Sequence, residues 1–253
     1  MNIDAAFVIG DTHTVCQDYA SSLVVEDRAY LIVSDGCSSS PHTDIGARIL
    51  VRQIITCLNK GMRLQRGLLF EGLKRARGLL DQMQLPREAL DCTLLVAECD
   101  SEEIRVLAVG DGVIAYDPHD GELSGVEIIN PSQAPGYLNY WGDEERLRHY
   151  LQQDQGVTYR VLGGETERHH KSALRMLSLT LPIKELRSLI LCSDGVSSFS
   201  RASVEEVLSH LTSFPVAQGA FVQRRLRKFT RKICKKRAWT HRDDLALAAI
   251  SFA

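Results

Sequence analysis

Three times in this chain an apolar run ends on Asp-Gly: Tyr30-Leu-Ile-Val33 leading to Asp35-Gly36, Ile104 to Val109 leading to Asp111-Gly112, and Ser188 to Cys192 leading to Asp194-Gly195. A fold has to place all three ends. Each run reads as a buried strand, and a carboxylate at the end of a buried strand is held rigidly while facing outward, as a metal site requires. The glycine after it lets the backbone turn and approach a bound ion with no Cβ in the way. Turn chemistry accounts for any one Asp-Gly. It does not account for the repetition.

At 253 residues, with 44% hydrophobic and 25% charged residues, the chain fits a soluble globular protein with a sizeable core, and a single domain over 1–253 is expected. The net charge of −2 gives no bulk preference for nucleic acid or acidic membranes. The N-terminal stretch has no basic region and too short an apolar segment for a secretory signal, and no apolar run reaches membrane-spanning length. The seven cysteines are scattered, with no Cys-x-x-Cys; this reads as reduced thiols in a cytoplasmic protein.

The order of elements bounds the fold class. Strands are expected at 5–10, 19–25 and 29–33, followed by two helices between Ile45 and Leu80, broken near Gly61 and ended by Pro86. A meander follows: Cys92 to Cys99, Ile104 to Val109 and Gly112 to Tyr116. Residues 128–185 read as a surface excursion with turn signals at Asn130-Pro131 and Ala134-Pro135-Gly136, an aromatic cluster Tyr137, Tyr140 and Trp141, a short helix over 144–152, and strands at 158–162 and 175–180. Next come a strand at 189–192, helices at 204–211 (capped by Ser203) and 216–235, and a final strand at 245–252. Strands, a helix pair, strands, a helix pair and a strand give an α+β antiparallel sandwich covered by helix pairs.

Asp18, Asp35, Asp194 and the pair Asp243-Asp244 all flank buried strands, and no His/Cys cluster has metal-ligand spacing. Oxygen ligands select hard cations, Mg²⁺ or Mn²⁺, and two such ions can clamp water and a phosphoryl oxygen together.

In order, Cys16-Gln-Asp18, Val33-Ser-Asp35-Gly36, Asp91-Cys-Thr93, Val109-Gly-Asp111-Gly112, Cys192-Ser-Asp194-Gly195-Val196 and Asp243-Asp244-Leu-Ala resemble the motif series of the metal-dependent serine/threonine protein phosphatases of type 2C, the PPM family. The likeness spans nearly the whole chain, at the length of a minimal bacterial member. It implies a four-layer α-β-β-α sandwich of two antiparallel sheets. It implies Asp35 bridging two Mn²⁺ or Mg²⁺ ions, Gly36 offering a carbonyl, Asp194 and Asp243 completing one shell, Asp18 acting through bound water, and Asp111 at a weaker third ion. The implied reaction is attack of an activated water on phosphoserine or phosphothreonine in a protein, without a phospho-enzyme. A catalytically weak binding or regulatory module on the same sandwich is the rival reading, and a small phosphorylated metabolite is a third substrate class.

The chain departs from the pattern where the substrate phosphate is gripped. His13 stands at the family's arginine position. An imidazole lacks the planar two-point contact of a guanidinium, so either His13 is a weaker phosphate contact, or another cation such as Arg48 or Arg242 substitutes for it, or substrate affinity is poor. Gln17 replaces a glutamate. Cys37 reads as a packed small residue or an oxidisable thiol, and His42 as a loop residue or a proton donor to the leaving alkoxide. Asp91-Cys-Thr in place of Gly-Thr-Thr is expected to affect strand packing more than chemistry. Residues 224–242 hold ten Lys/Arg over an apolar stripe of Leu226, Phe229 and Ile233: a solvated helix face, or a docking surface for an acidic or phosphorylated protein. Expected partners are a phosphorylated protein substrate, with no nucleic acid and no membrane, and the chain is expected to be a monomer.

Overall fold

The computed structural model describes residues 1–130, 135–164, 167–172 and 175–252. The strands are β1 (Asn2–Val8), β2 (Tyr19–Val25), β3 (Arg28–Ser34), β4 (Leu94–Cys99), β5 (Glu103–Val109), β6 (Gly112–Pro118), β7 (Ser124–Ile129), β8 (Val157–Val161), β9 (Glu167–His170), β10 (Leu177–Pro182), β11 (Leu186–Cys192) and β12 (Leu245–Ser251). The helices are α1 (Thr43–Leu58), α2 (Arg66–Met83), α3 (Glu144–Gln153), α4 (Val204–Leu211) and α5 (Phe221–Lys228); α5 continues through a π-helical stretch, Phe229–Cys234, into a last turn α6 (Lys235–Arg237).

The strands form two sheets, ordered β1-β12-β11-β6-β7-β8-β9 and β10-β5-β4-β3-β2, and every pairing in them is antiparallel. Alternation along the central strands sorts side chains into three apolar layers. On β4, Leu94 and Val96 face α1 and α2, while Leu95 and Ala97 face the other sheet. On β12, Leu245 and Leu247 face α4 and α5, and Ala246 and Ala248 face inward. Strands buried on both faces read as continuous apolar runs, so the sequence exposes them, and the sandwich has the expected four layers. Among the described residues no helix is long and apolar enough to cross a membrane.

Two strands fall outside the sequence expectation. β7 (Ser-Gly-Val-Glu-Ile-Ile) carries a buried acid, Glu127, which accepts from Arg160 of β8 at 2.8 Å. β9 (Glu-Arg-His-His) is a polar edge strand where His169-His170 read as loop; its pairing with β8 leaves it largely exposed. β1 ends at Val8 rather than residue 10, because Gly10 N–H donates to the Asp244 carboxylate at 2.8 Å instead of continuing the ladder. Of the excursion's turn signals, Pro131 and Ala134 lie outside the described residues.

One buried acid ties the α1–α2 connection to the sheet. Glu98 of β4 accepts from Leu64 N at 2.8 Å and lies 3.0 Å from both Arg63 and Arg105, with Arg28 at 3.7 Å. Glu98→Gln leaves three cations facing a neutral group. The arginines keep partial solvent access, which discounts the cost of breaking a buried pair. We expect a loss of about 2 kcal/mol, read as a fall in Tm of about 4–8 °C by calorimetry.

Candidate metal centre

Asp35 follows β3 in one sheet; Asp194 follows β11 and Asp111 precedes β6 in the other. The sandwich therefore brings the three Asp-Gly ends to one edge of its two sheets. One carboxylate oxygen from each of Asp35, Asp111 and Asp194 lies within 4.8 Å of the other two. The close approach depends on Gly112, which takes φ 134° and where a Cβ would meet the Cys192 carbonyl at 2.7 Å. Gly36 plays a matching part: a Cβ there would fall 2.7 Å from that of Thr43 at the start of α1. Asp35 itself is locked to β4, its N–H donating to Thr93 Oγ1 at 3.0 Å and its carbonyl accepting from Thr93 N at 2.8 Å.

Asp18 is fully buried behind this cluster, accepting from Ser193 Oγ at 2.5 Å and within hydrogen-bond reach of Asp35. Burial pushes its carboxyl up to about 7, against the bonds from Asp35 and Ser193, which favour the anion. Burial, then the neighbouring Asp18 and Asp194, holds Asp35 well above the usual carboxylate range. Asp111 is raised by burial and Asp194, and Asp243 by burial and Asp194. The like charges oppose one another, and within the cleft of about 570 Å³ that they line, His13 is the one basic side chain among the described residues.

Asp243 stands at the rim, its side chain 45% exposed. Asp244 is buried and structural: besides Gly10 it accepts from Gln17 N at 2.6 Å and lies 3.0 Å from His13 Nδ1. His13 Nε2 is 3.5 Å from Asp243 Oδ1, so the ring is held between two carboxylates. Burial works against its cationic form, but the bond and charge of Asp244 prevail and its pKa is raised.

The remaining departures find definite places. Gln17 turns from the acids and donates to Thr43 Oγ1 at 2.7 Å, bracing the loop before α1. Arg48 donates to the Cys16 and Asp44 carbonyls and lies over Phe7 and Tyr19. Arg242 lines a second cleft of about 450 Å³ that shares His13 and Asp243 with the first. His42 is exposed, in left-handed conformation ahead of α1. Cys37 lines the first cleft; burial would raise its thiol, but hydrogen bonds from Ser39, Tyr137 and Ser40 outweigh it and the pKa is lowered.

Sequence reasoning missed the wall built by the excursion. Tyr137 and Pro135 line the cleft, and Asp91 anchors that segment rather than packing a strand. Asp91 pairs with Arg146 at 2.6 Å, accepts from Asn139 Nδ2 at 2.8 Å, and accepts from Ser40 Oγ at 3.1 Å. An aspartate where a resembling family carries glycine was the available signal.

An all-oxygen donor set of three crowded, poorly neutralised carboxylates suits a hard divalent cation and fits no thiol- or imidazole-seeking metal.

Residues 10–231 match the pattern of the Protein phosphatase 2C family. Among solved structures, the fold is similar to a bacterial serine phosphatase (TM-score 0.63, 10% identity, covering 100% of this chain and 98% of that one). It is also similar to the serine/threonine phosphatase Stp1 from Staphylococcus aureus (0.62, 12%, 100% and 96%). A third likeness is to serine-threonine phosphatase 2C from Toxoplasma gondii (0.59, 13%, 100% and 95%). No curated protein matches the sequence. With the pattern covering most of its length and the sandwich intact, the chain belongs to the protein phosphatase 2C family.

Proposed function

We propose that this protein is a metal-dependent phosphatase that hydrolyses phosphoserine or phosphothreonine in a protein, with residues 1–253 acting as one domain. The observation that carries the reading is the convergence of Asp35, Asp111 and Asp194 within 4.8 Å. These three would hold Mn²⁺ or Mg²⁺, with the Gly36 carbonyl and Asp243 on either side and Asp18 behind. When bound, such ions supply electrostatic stabilisation of phosphoryl oxygens and lower the pKa of the attacking water. The chain's own residues do the rest. Ser193 and Asp35 hold Asp18 so that it can keep or release a proton near neutral pH. His13, its pKa raised by Asp244, sets an imidazole whose cationic form is favoured on the cleft wall beside Asp243. The loop Cys37–Ser39 and Tyr137 close another side of the cleft.

One observation favours the second reading, a catalytically weak binding module. The cleft has no guanidinium among its described lining residues, and the imidazole in the arginine's place is already held by two carboxylates. The test compares kcat/KM for a phosphothreonine peptide and for p-nitrophenyl phosphate at saturating Mn²⁺. A higher value for the peptide supports the protein phosphatase. Peptide binding with hydrolysis of neither compound replaces it with the module.

A further inference from the structure

No acidic residue occurs between Glu206 and Asp243, a stretch that holds ten of the chain's thirty Lys and Arg. In a protein of net charge −2 this concentrates positive charge on one element. α5, its π-helical continuation and α6 bury Phe221, Val222, Leu226 and Phe229 against the seven-stranded sheet. The opposite face exposes Arg227, Lys228, Arg231, Lys232, Lys235 and Lys236. None of the ten cations has a carboxylate within salt-bridge distance among the described residues. On the flanking segments, the Asp4 carboxylate takes up the Val222 and Gln223 amides at the start of α5, and the exposed Asp11 is hydrogen-bonded through its own N–H to the His241 carbonyl.

The face leads to the candidate active site. Arg242 is five positions along the chain from Arg237, so the two lie within about 18 Å of each other. Arg242 lines the cleft that shares His13 and Asp243 with the metal centre. Its backbone is pinned there, the carbonyl accepting from Thr12 N at 3.2 Å and Thr12 Oγ1 at 2.6 Å. Arg242, beside the candidate metal centre, and the exposed face from α5 to α6 thus form a cationic track whose helical part, Arg224 to Arg237, is about 20 Å long.

We propose that this track binds an acidic segment of the phosphoprotein substrate, so that the preferred substrates are phosphoresidues flanked by Asp and Glu. The inference rests on the phosphatase reading for the site at its end. Charge complementarity selects the occupant: the track offers cations with no carboxylate partner among the described residues, beside a cleft suited to one phosphoresidue. Two other polyanions fit less well. Trp239 and Phe229 are buried, which leaves no aromatic platform for stacking bases. The exposed face of α5 to α6 carries no large apolar side chain with which to enter a bilayer surface.

Two phosphothreonine peptides, identical except for Asp/Glu or Asn/Gln flanks, would be compared on the wild type and on Arg227→Glu/Arg231→Glu/Lys235→Glu. The readout is the acidic-to-neutral ratio of kcat/KM, in which any general loss of activity cancels. We expect a ratio of roughly tenfold at low salt, from a few exposed ion pairs acting together, falling towards one in the variant and in high salt. A ratio of one in an active wild type overturns the proposal and leaves the phosphatase reading standing. Fluorescence anisotropy of a labelled, unphosphorylated Asp/Glu-rich peptide tests the track without turnover. Binding that the variant loses supports the track even if neither phosphopeptide is hydrolysed, in which case only the catalytic reading fails. Equal binding of a neutral peptide, or tighter binding of a single-stranded oligonucleotide or anionic vesicles, overturns the proposal.

Discussion

Mn²⁺ should raise the melting temperature of this protein strongly at pH 7.5 and hardly at all at pH 5. Asp18, Asp35 and Asp111 all have folded-state pKa values above those of the unfolded chain. For an acid shifted upwards, the stabilising contribution is complete below the unfolded value, near pH 4, and is lost as pH rises through the folded value, about 7 for Asp18. The metal-free fold is therefore progressively strained by its own carboxylates across that window. A divalent cation removes the repulsion at pH 7.5, whereas at pH 5 protons already occupy the acids and compete with it. At an Mn²⁺ concentration of about 100 Kd the gain is about 2.7 kcal/mol, or about 5–10 °C for a chain of this length. Asp35→Asn should melt above the wild type in EDTA and respond little to Mn²⁺. His241 works in the opposite sense: buried against Phe199, with burial lowering its pKa to about 4, it stabilises above pH 6.5 and loses that contribution as pH falls towards 4. It sets the acid limb of the same curve. Calorimetric melts at several pH values, with Mn²⁺ and with EDTA, check both limbs.

Asp91→Ala should cost about 3 kcal/mol, among the largest losses from one substitution outside the apolar core. Its side chain is 3% exposed and joins three segments: Arg146 of α3, Asn139 of the excursion, and Ser40 of the loop after Asp35. Arg77 of α2 extends the network, donating to the Asn139 carbonyl at 2.6 Å. Removing the acid strands a partly buried guanidinium and an amide, and breaking one side of such a pair typically costs 3–5 kcal/mol. Replacing both partners, in Asp91→Ala/Arg146→Met, should cost less than the sum of the single changes; a double-mutant cycle by urea denaturation measures the difference. The cleft should also loosen, because Pro135 and Tyr137 belong to the segment that Asp91 holds. KM for a phosphopeptide should rise in Asp91→Ala more than kcat falls.

The legible parts of this protein share a physical cause. β3, β11 and β12 are buried on both faces over most of their length, so each reads as an apolar run bounded by an acid, and Asp35, Asp194 and Asp243-Asp244 lie at those boundaries. β7 and β9 carry no such signal, one because a buried Glu127 interrupts it and the other because an edge strand can be polar throughout. The family likeness set the ligand role on Asp243 and gave Asp244 none. It could not show that Asp244 stitches the two ends of the domain through Gly10 and Gln17, 234 and 227 residues away in sequence. Asp91 and Glu98 were illegible for the same reason: a buried acid is explained by its partners, and those partners are distant in the chain. The fate of His13 belongs to this class as well, since its two carboxylates come from the last turn before β12.

The central claim, that the carboxylates at the sheet ends support metal-dependent phosphoryl hydrolysis, is tested most directly by one titration. Initial rates of phosphate release from a phosphothreonine peptide would be measured against Mn²⁺ concentration for the wild type and Asp35→Asn. The account predicts a saturable rise from a baseline that EDTA abolishes, and a rate about a hundredfold or more lower in the variant. Hydrolysis that ignores Mn²⁺ and EDTA, or that Asp35→Asn leaves intact, would contradict it.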